Sequence, residues 1–291
     1  MKLLDESFIR KLDMLSLVSR KVIIGRMRGE QRSKRRGISS EFAEHRDYSP
    51  GDDTRFIDWN IYGRLNRLFT KLFYEEEDLH VSILIDASQS MEHGLSNKFD
   101  YARRVAAALG YIAAAGLDRV SVSAFSDHVN ERLRPFRGKR QVWRMFDFLE
   151  NLQCAGMTSL QAACRQFAVQ TRGKGITILI SDFLDEHGYE EALRQFVGRN
   201  QDLFVLHVLS REELTPEVAG DIKLLDCETG NETEISVSSA LLKTYQKNVN
   251  VFCRGLKDYC GSRGIGYLFA ATDTPFDQLI LSYLRRVGLV K

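Results

Sequence analysis

Short apolar runs rich in β-branched residues recur along this chain, alternating with stretches of helical spacing. Val81 to Ile85, Arg119 to Phe125, Gly175 to Ser181, Leu203 to Leu209 and Ile265 to Ala270 are such runs. A strand apolar on both faces must be covered on both faces. Between the runs, a stretch capped by Ser96 or Asn97 and reaching Ala115, then Gln141 to Leu152, Leu160 to Thr171, Tyr189 to Val197 and Phe276 to Val287, supply candidate helices. Gly116 stops the first of them. Strands alternating with helices predict an α/β fold with a doubly wound, mostly parallel sheet. In such sheets ligands sit beyond the carboxyl ends of the strands, where the strand order reverses.

Val81 to Ile85 ends in Asp86-Ala87-Ser88-Gln89-Ser90-Met91. One carboxylate and two hydroxyls on a tight loop suit a hard cation such as Mg²⁺ or Mn²⁺. Thr158 lies on a loop before the helical stretch from Leu160, and Asp182 follows the run from Gly175. Each residue alone has an ordinary structural use as a helix cap or turn residue. Asp86, Ser88, Ser90, Thr158 and Asp182 together form an oxygen set drawn from separate strand ends. The set resembles the metal-ion-dependent adhesion site of von Willebrand factor A-like domains: Asp-x-Ser-x-Ser, then Thr, then Asp. The resemblance implies a metal with one coordination place open to an acidic side chain of a protein partner.

Other chemistries lack their residues. An aspartyl-phosphate phosphotransferase usually has a second Asp two places after the first, where this chain has Ser88. Neither a Gly-x-Ser-x-Gly elbow nor a phosphate-binding Gly-x-x-x-x-Gly-Lys loop occurs. The six histidines lack zinc-site spacing. The five cysteines, an odd number with no Cys-x-x-Cys pair, are expected to be reduced thiols. A net charge of +2 over 291 residues points to no partner class. The start Met1-Lys2-Leu3-Leu4-Asp5-Glu6 lacks the apolar stretch of a signal peptide, and no run is long enough to span a membrane. A cytoplasmic location is the expectation.

Phe8 to Arg26 carries an approximate helical stripe, and a basic run, Arg26 to Arg36, follows. Next come Tyr48-Ser49-Pro50-Gly51-Asp52-Asp53-Thr54-Arg55-Phe56-Ile57-Asp58-Trp59. Pro50-Gly51 sets a turn. A buried Arg55–Asp58 pair beneath Trp59 is expected to lock this segment to the main domain. Tyr48, Gly51, Asp52, Arg55, Asp58 and Trp59, ahead of Asp-x-Ser-x-Ser-Met, resemble the bacterial family called domain of unknown function 58. Relatives of that kind are commonly encoded beside MoxR-type AAA+ ATPases.

The predicted organisation is therefore an N-terminal helical and basic extension over 1–78 and a von Willebrand factor A-like domain over 79–291. A β-hairpin insertion falls at about 221–237, where turn residues separate two short apolar stretches. The predicted function is a non-enzymatic, divalent-metal-dependent protein-binding module. The resemblance implies an adaptor or co-chaperone working with a MoxR-type AAA+ ATPase in complex assembly. The alternative is nucleic-acid binding through Arg26 to Arg36, with steep salt dependence.

Overall fold

The computed structural model describes residues 3–15, 17, 42–73, 79–92, 97–171, 175–199, 201–227, 230–286 and 289–290. The chain divides into two compact units, Gly29–Asp78 and, together, Met1–Arg28 with Leu79–Lys291. The basic run lies outside the described residues. Helix α1 (Glu6–Leu12) covers the start of the helical stripe read from Phe8 to Arg26, and the stripe beyond Leu17 lies outside the described residues. The helix buries Phe8 and Leu12, and its backbone turns away at Asp13 and Met14.

In the smaller unit, β1 (Phe42–Asp47) pairs antiparallel with β2 (Phe69–Phe73), and α2 (Trp59–Leu65) lies between them in sequence. Gly51, at φ 101°, adopts a backbone that side chains disfavour, which is why glycine suits this turn. The carboxylates here are turn and cap groups. Asp52 accepts from Arg46 at 2.6 and 2.7 Å and from the Ser49 N–H, and Asp53 accepts from the Arg55 N–H. Asp58 caps α2 by accepting from the Asn60 and Ile61 N–H groups, and it pairs with His45 at 3.0 Å and Lys71 at 3.3 Å. Burial pushes its carboxyl pKa up, but these partners outweigh burial and hold it down at about 2. The Tyr48 N–H donates to the Leu68 carbonyl.

The expected Arg55–Asp58 pair does not form, because Arg55 turns to Asp53 at 2.8 Å while Asp58 is taken by its own helix. Trp59 covers no such pair. It is 61% exposed and, among the described residues, its ring meets Tyr62 edge-on, at 6.1 Å between ring centroids. Trp59→Ala is therefore expected to cost less than ~1 kcal/mol in a denaturant melt. A loss of several kcal/mol would show that the ring is covered in solution.

The larger unit is built on β3 (His80–Asp86), β4 (Arg119–Phe125), β5 (Val129–Arg137), β6 (Gly175–Ser181), β7 (Gln201–Leu209) and β10 (Gly266–Ala271). They form one sheet in the order β10-β7-β6-β3-β4-β5, parallel except for the edge pair β4–β5. Side chains alternate between two covered faces. Ile83, Ile85, Val122, Ile178 and Leu206 pack under α3 (Lys98–Ala115), α4 (Val142–Asn151), α1 and the C-terminal segment. Leu84, Phe125, Leu179 and Val205 pack under α5 (Leu160–Gln170), α6 (Glu190–Arg194) and the last turns of α8 (Ser239–Ser262). Burial on both faces explains the near-continuous apolar runs.

Strand β5 runs to Arg137, beyond the stretch ending at Leu133 that its pattern suggests. Its register slips between Leu133 and Phe136, so Pro135, which has no N–H to give, sits in a bulge. The short helix α7 (Arg211–Leu214) precedes β8 (Gly220–Leu225) and β9 (Glu232–Val237), which form the expected antiparallel hairpin. The last helical stretch, from Phe276 to Arg286, is interrupted by a wider turn over Leu279–Tyr283. No helix among the described residues is long and apolar enough to cross a membrane.

Candidate functional site

The chain runs from β3 outward through β4 to β5, then returns to place β6 on the other side of β3. The strand order therefore reverses between β3 and β6, and Asp86 and Asp182 stand at those two carboxyl ends. Asp86 Oδ1 accepts from the Ser88 N–H at 3.0 Å, and Oδ2 accepts from the Ser181 hydroxyl at 2.6 Å. The Ser88 and Ser90 hydroxyls are 3.0 Å apart, and the Ser90 hydroxyl donates to Asp182 Oδ2 at 3.4 Å. Asp86, Ser88, Ser90 and Asp182 thus form a continuous chain of polar contacts. Ser90 is half-buried and reaches solvent, whereas the other three are buried.

Thr158 is half-buried on the adjoining loop. That loop is tied to the β3 loop by Ala155 N–H to Ala87 O at 2.9 Å and Gln89 N–H to Gly156 O at 3.2 Å. A third bond, Ser159 N–H to Ser126 O, fixes it to the end of β4.

Asp86 is fully enclosed, and its hydrogen bonds come from the neutral groups of Ser88 and Ser181. Burial pushes its carboxyl pKa up to about 7, the charge of Asp182 adds to the rise, and the Ser181 and Ser88 bonds only partly oppose it. Asp182 is balanced differently. Its Oδ1 accepts from the Leu184 N–H at 3.1 Å, and its Oδ2 accepts from the Lys98 ammonium at 2.7 Å. Lys98 is 1% exposed and also reaches Glu213 Oε1 at 2.5 Å. Burial works against its positive charge, but Asp182 and Glu213 together raise its pKa above the ordinary lysine value.

Behind Asp182, Phe183 holds a left-handed backbone at φ 60°, uncommon for a bulky residue. Its N–H donates to the Ser181 hydroxyl at 2.9 Å, and its ring meets the edge of His207 at 5.8 Å. Burial holds His207 neutral, with its pKa drawn down to about 4. Such strain persists only where surrounding contacts fix it.

Lys98, Ser181 and Glu213 escaped the sequence reading. Each had a faint signal. A lysine opening a helix works against the helix dipole unless an anion faces it. Ser181 is a hydroxyl inside an apolar strand. Ser210-x-x-Glu213 is a capping box, and both of its bonds are present.

Among the described residues, no group of three or more His, Cys, Asp or Glu side chains gathers as a metal centre. The donor set here is two carboxylates with neighbouring hydroxyls. Hard oxygens around a buried carboxylate held only by neutral donors fit a small divalent cation. The fold and this crevice define an α/β protein with an oxygen-rich site at its topological switch point.

The family described as "Protein of unknown function DUF58" matches residues 44–251, and the chain belongs to this family. It is 26% identical to "Uncharacterized protein Rv1480" of Mycobacterium tuberculosis (strain ATCC 25618 / H37Rv), over 81% of this chain and 76% of that protein. Among solved structures it is similar to the "conserved hypothetical protein BatB from Bacteroides thetaiotaomicron", at 15% identity and TM-score 0.46, covering 72% of this chain and 98% of that one. It is also similar to the "SpRpn10 VWA domain", at 12% identity and TM-score 0.41, covering 70% and 94%.

Proposed function

We propose that this chain is a non-enzymatic protein-binding module whose partner docks at the carboxyl ends of β3 and β6 through an acidic side chain on a divalent cation. The observation that carries the reading is Asp86: a buried carboxylate, raised towards neutrality, beside the Ser88 and Ser90 hydroxyls in the crevice where the strand order reverses. The Ser88, Ser90 and Thr158 hydroxyls would hold Mg²⁺ or Mn²⁺ directly, with Asp86 and Asp182 acting mainly through water and hydrogen bonds. A bound ion of this kind supplies a hard positive charge with a place for one incoming carboxylate oxygen. The hydroxyls bring no charge of their own, so an acidic group from the partner improves the balance. Desolvating that carboxylate opposes binding, so the contact gives specificity more than raw affinity.

Exposed apolar side chains flank the set on the same loops. Met157 precedes Thr158, and Leu184 follows two places after Asp182. Both suit contact with a protein surface rather than with a small anion. The resemblance makes a MoxR-type AAA+ ATPase, or its client, the first candidate partner.

Calorimetric titration with Mn²⁺ tests the site: wild type is expected to bind one ion, and Asp86→Ala none, with both proteins folded. Equal binding by the two would remove the assignment. Complex formation with the purified candidate ATPase is then expected to disappear with chelator and with Thr158→Ala. Survival of the complex under both conditions would mean that the metal is not the contact.

A further inference from the structure

We propose that Lys98 is an internal counter-cation that sets how strongly the oxygen site takes a divalent ion, with Glu213 sharing its charge. The inference rests on the reading of the site as a cation site and adds what regulates it. Lys98 opens α3, yet its side chain runs inward and is 1% exposed. Its ammonium joins two carboxylates that lie 84 and 115 residues away along the chain.

Glu213 is fixed where it stands. Its Oε2 accepts from the Ser210 N–H at 2.7 Å, and its own N–H donates to the Ser210 hydroxyl at 3.2 Å. The carbonyl of Glu213 accepts from the Tyr245 hydroxyl at 2.9 Å, which ties this short helix to α8. Asp182 likewise has both oxygens engaged, one by the Leu184 N–H and one by Lys98. The two site carboxylates are therefore unequal. Asp182 has the Lys98 ammonium on Oδ2, the same oxygen that the Ser90 hydroxyl reaches, while the hydrogen bonds to Asp86 come from neutral groups. A divalent ion beside Ser88 and Ser90 meets the full charge of Asp86, but an Asp182 charge offset by Lys98. Glu213 in turn tempers Lys98.

This arrangement predicts affinity shifts of opposite sign. Removing the ammonium in Lys98→Met exposes the charge of Asp182 and is expected to tighten Mn²⁺ binding by about tenfold or more. Removing the tempering charge in Glu213→Gln leaves the ammonium stronger and is expected to weaken binding several-fold. A merely structural clamp would loosen the site in both variants, so the opposite signs separate the two roles. Glu213 is partly exposed, and its neutral variant keeps the shape of the side chain, so the test stands even if Lys98→Met folds poorly.

The experiment is calorimetric titration of wild type, Lys98→Met and Glu213→Gln with Mn²⁺ alone, with folding checked by circular dichroism. Weaker binding by Glu213→Gln, with tighter binding by any folded Lys98→Met, supports the inference. Unchanged affinity in Glu213→Gln, or loss of affinity in folded Lys98→Met, overturns it while leaving the metal site standing. Binding that appears only in Lys98→Met upholds the counter-cation and removes metal dependence from the natural chain. Absence of binding in all three proteins overturns both readings.

Discussion

Lys98→Met, held in chelator at pH 8, is expected to lose about 3–5 kcal/mol of unfolding free energy. The ammonium is enclosed at 1% exposure and faces the fully enclosed carboxylate of Asp182 at 2.7 Å. Methionine matches its length but leaves Asp182 buried beside Asp86, with neutral donors alone. Removing one partner of a buried pair costs far more than the pair is worth against an apolar replacement of both, because the remaining charge has lost its solvent and its counter-ion. Added Mn²⁺ is expected to restore part of the loss by linkage, since it binds the folded state preferentially. Urea melts with and without the ion measure both effects. A loss below ~1 kcal/mol would mean that the ammonium sits in solvent rather than between the carboxylates.

The second large effect concerns Asp86, and its sign is unusual for a site residue. In chelator at pH 8, Asp86→Asn is expected to be more stable than the natural chain, with the gap closing by about 2–3 kcal/mol as the pH falls to 5. The folded pKa is raised from 3.8 to about 7 by burial, and next by the charge of Asp182. The folded state therefore holds the proton more tightly than the unfolded state does. The stability that comes with that proton is complete below the unfolded value and is lost as the pH rises through about 7. Asparagine keeps the shape without the charge, so it escapes that loss. His207, drawn down to about 4 by burial, acts in the opposite direction as the pH falls below 6.5. The difference between the two proteins, measured in melts at several pH values, cancels that contribution. A gap that stays constant with pH would mean that Asp86 keeps an ordinary carboxyl pKa.

Where burial is two-sided, local sequence was enough. Arg119–Phe125 and Gly175–Ser181 begin and end where the apolar runs do, because each residue in them but Arg119 is covered. Helix Lys98–Ala115 was legible from a capping residue, Ser96 or Asn97, and from its Gly116 stop, and the structure gives the cap to Asn97. The convergence of Asp86, Ser88, Ser90 and Asp182 followed from strand alternation alone, since carboxyl ends of parallel strands share one rim.

Features set by contacts distant in sequence were not legible. A lysine in the first turn of a helix looks solvated until the fold brings Asp182 and Glu213 to it. Aromatic rings usually bury, which makes Trp59 look like an anchor in the sequence, but α2 has no buried residues to pack it against. Strand β1, Phe-Ala-Glu-His-Arg-Asp, mixes polar and apolar residues without a clear period, and only its pairing with β2 defines it.

The bulged edge strand β5 has a consequence for how copies of this protein meet. An open sheet edge is a template on which another chain can add a strand. Here the template carries Glu131, Arg132, Arg134 and Arg137 along a mostly exposed strand, and the bulge at Pro135 breaks its regular register. A second copy added parallel and in register, as in a fibril, would set each arginine against its own counterpart and meet an irregular ladder at the bulge. At high concentration, growth of fibrils from this side of the sheet is disfavoured before any other part of the molecule is involved.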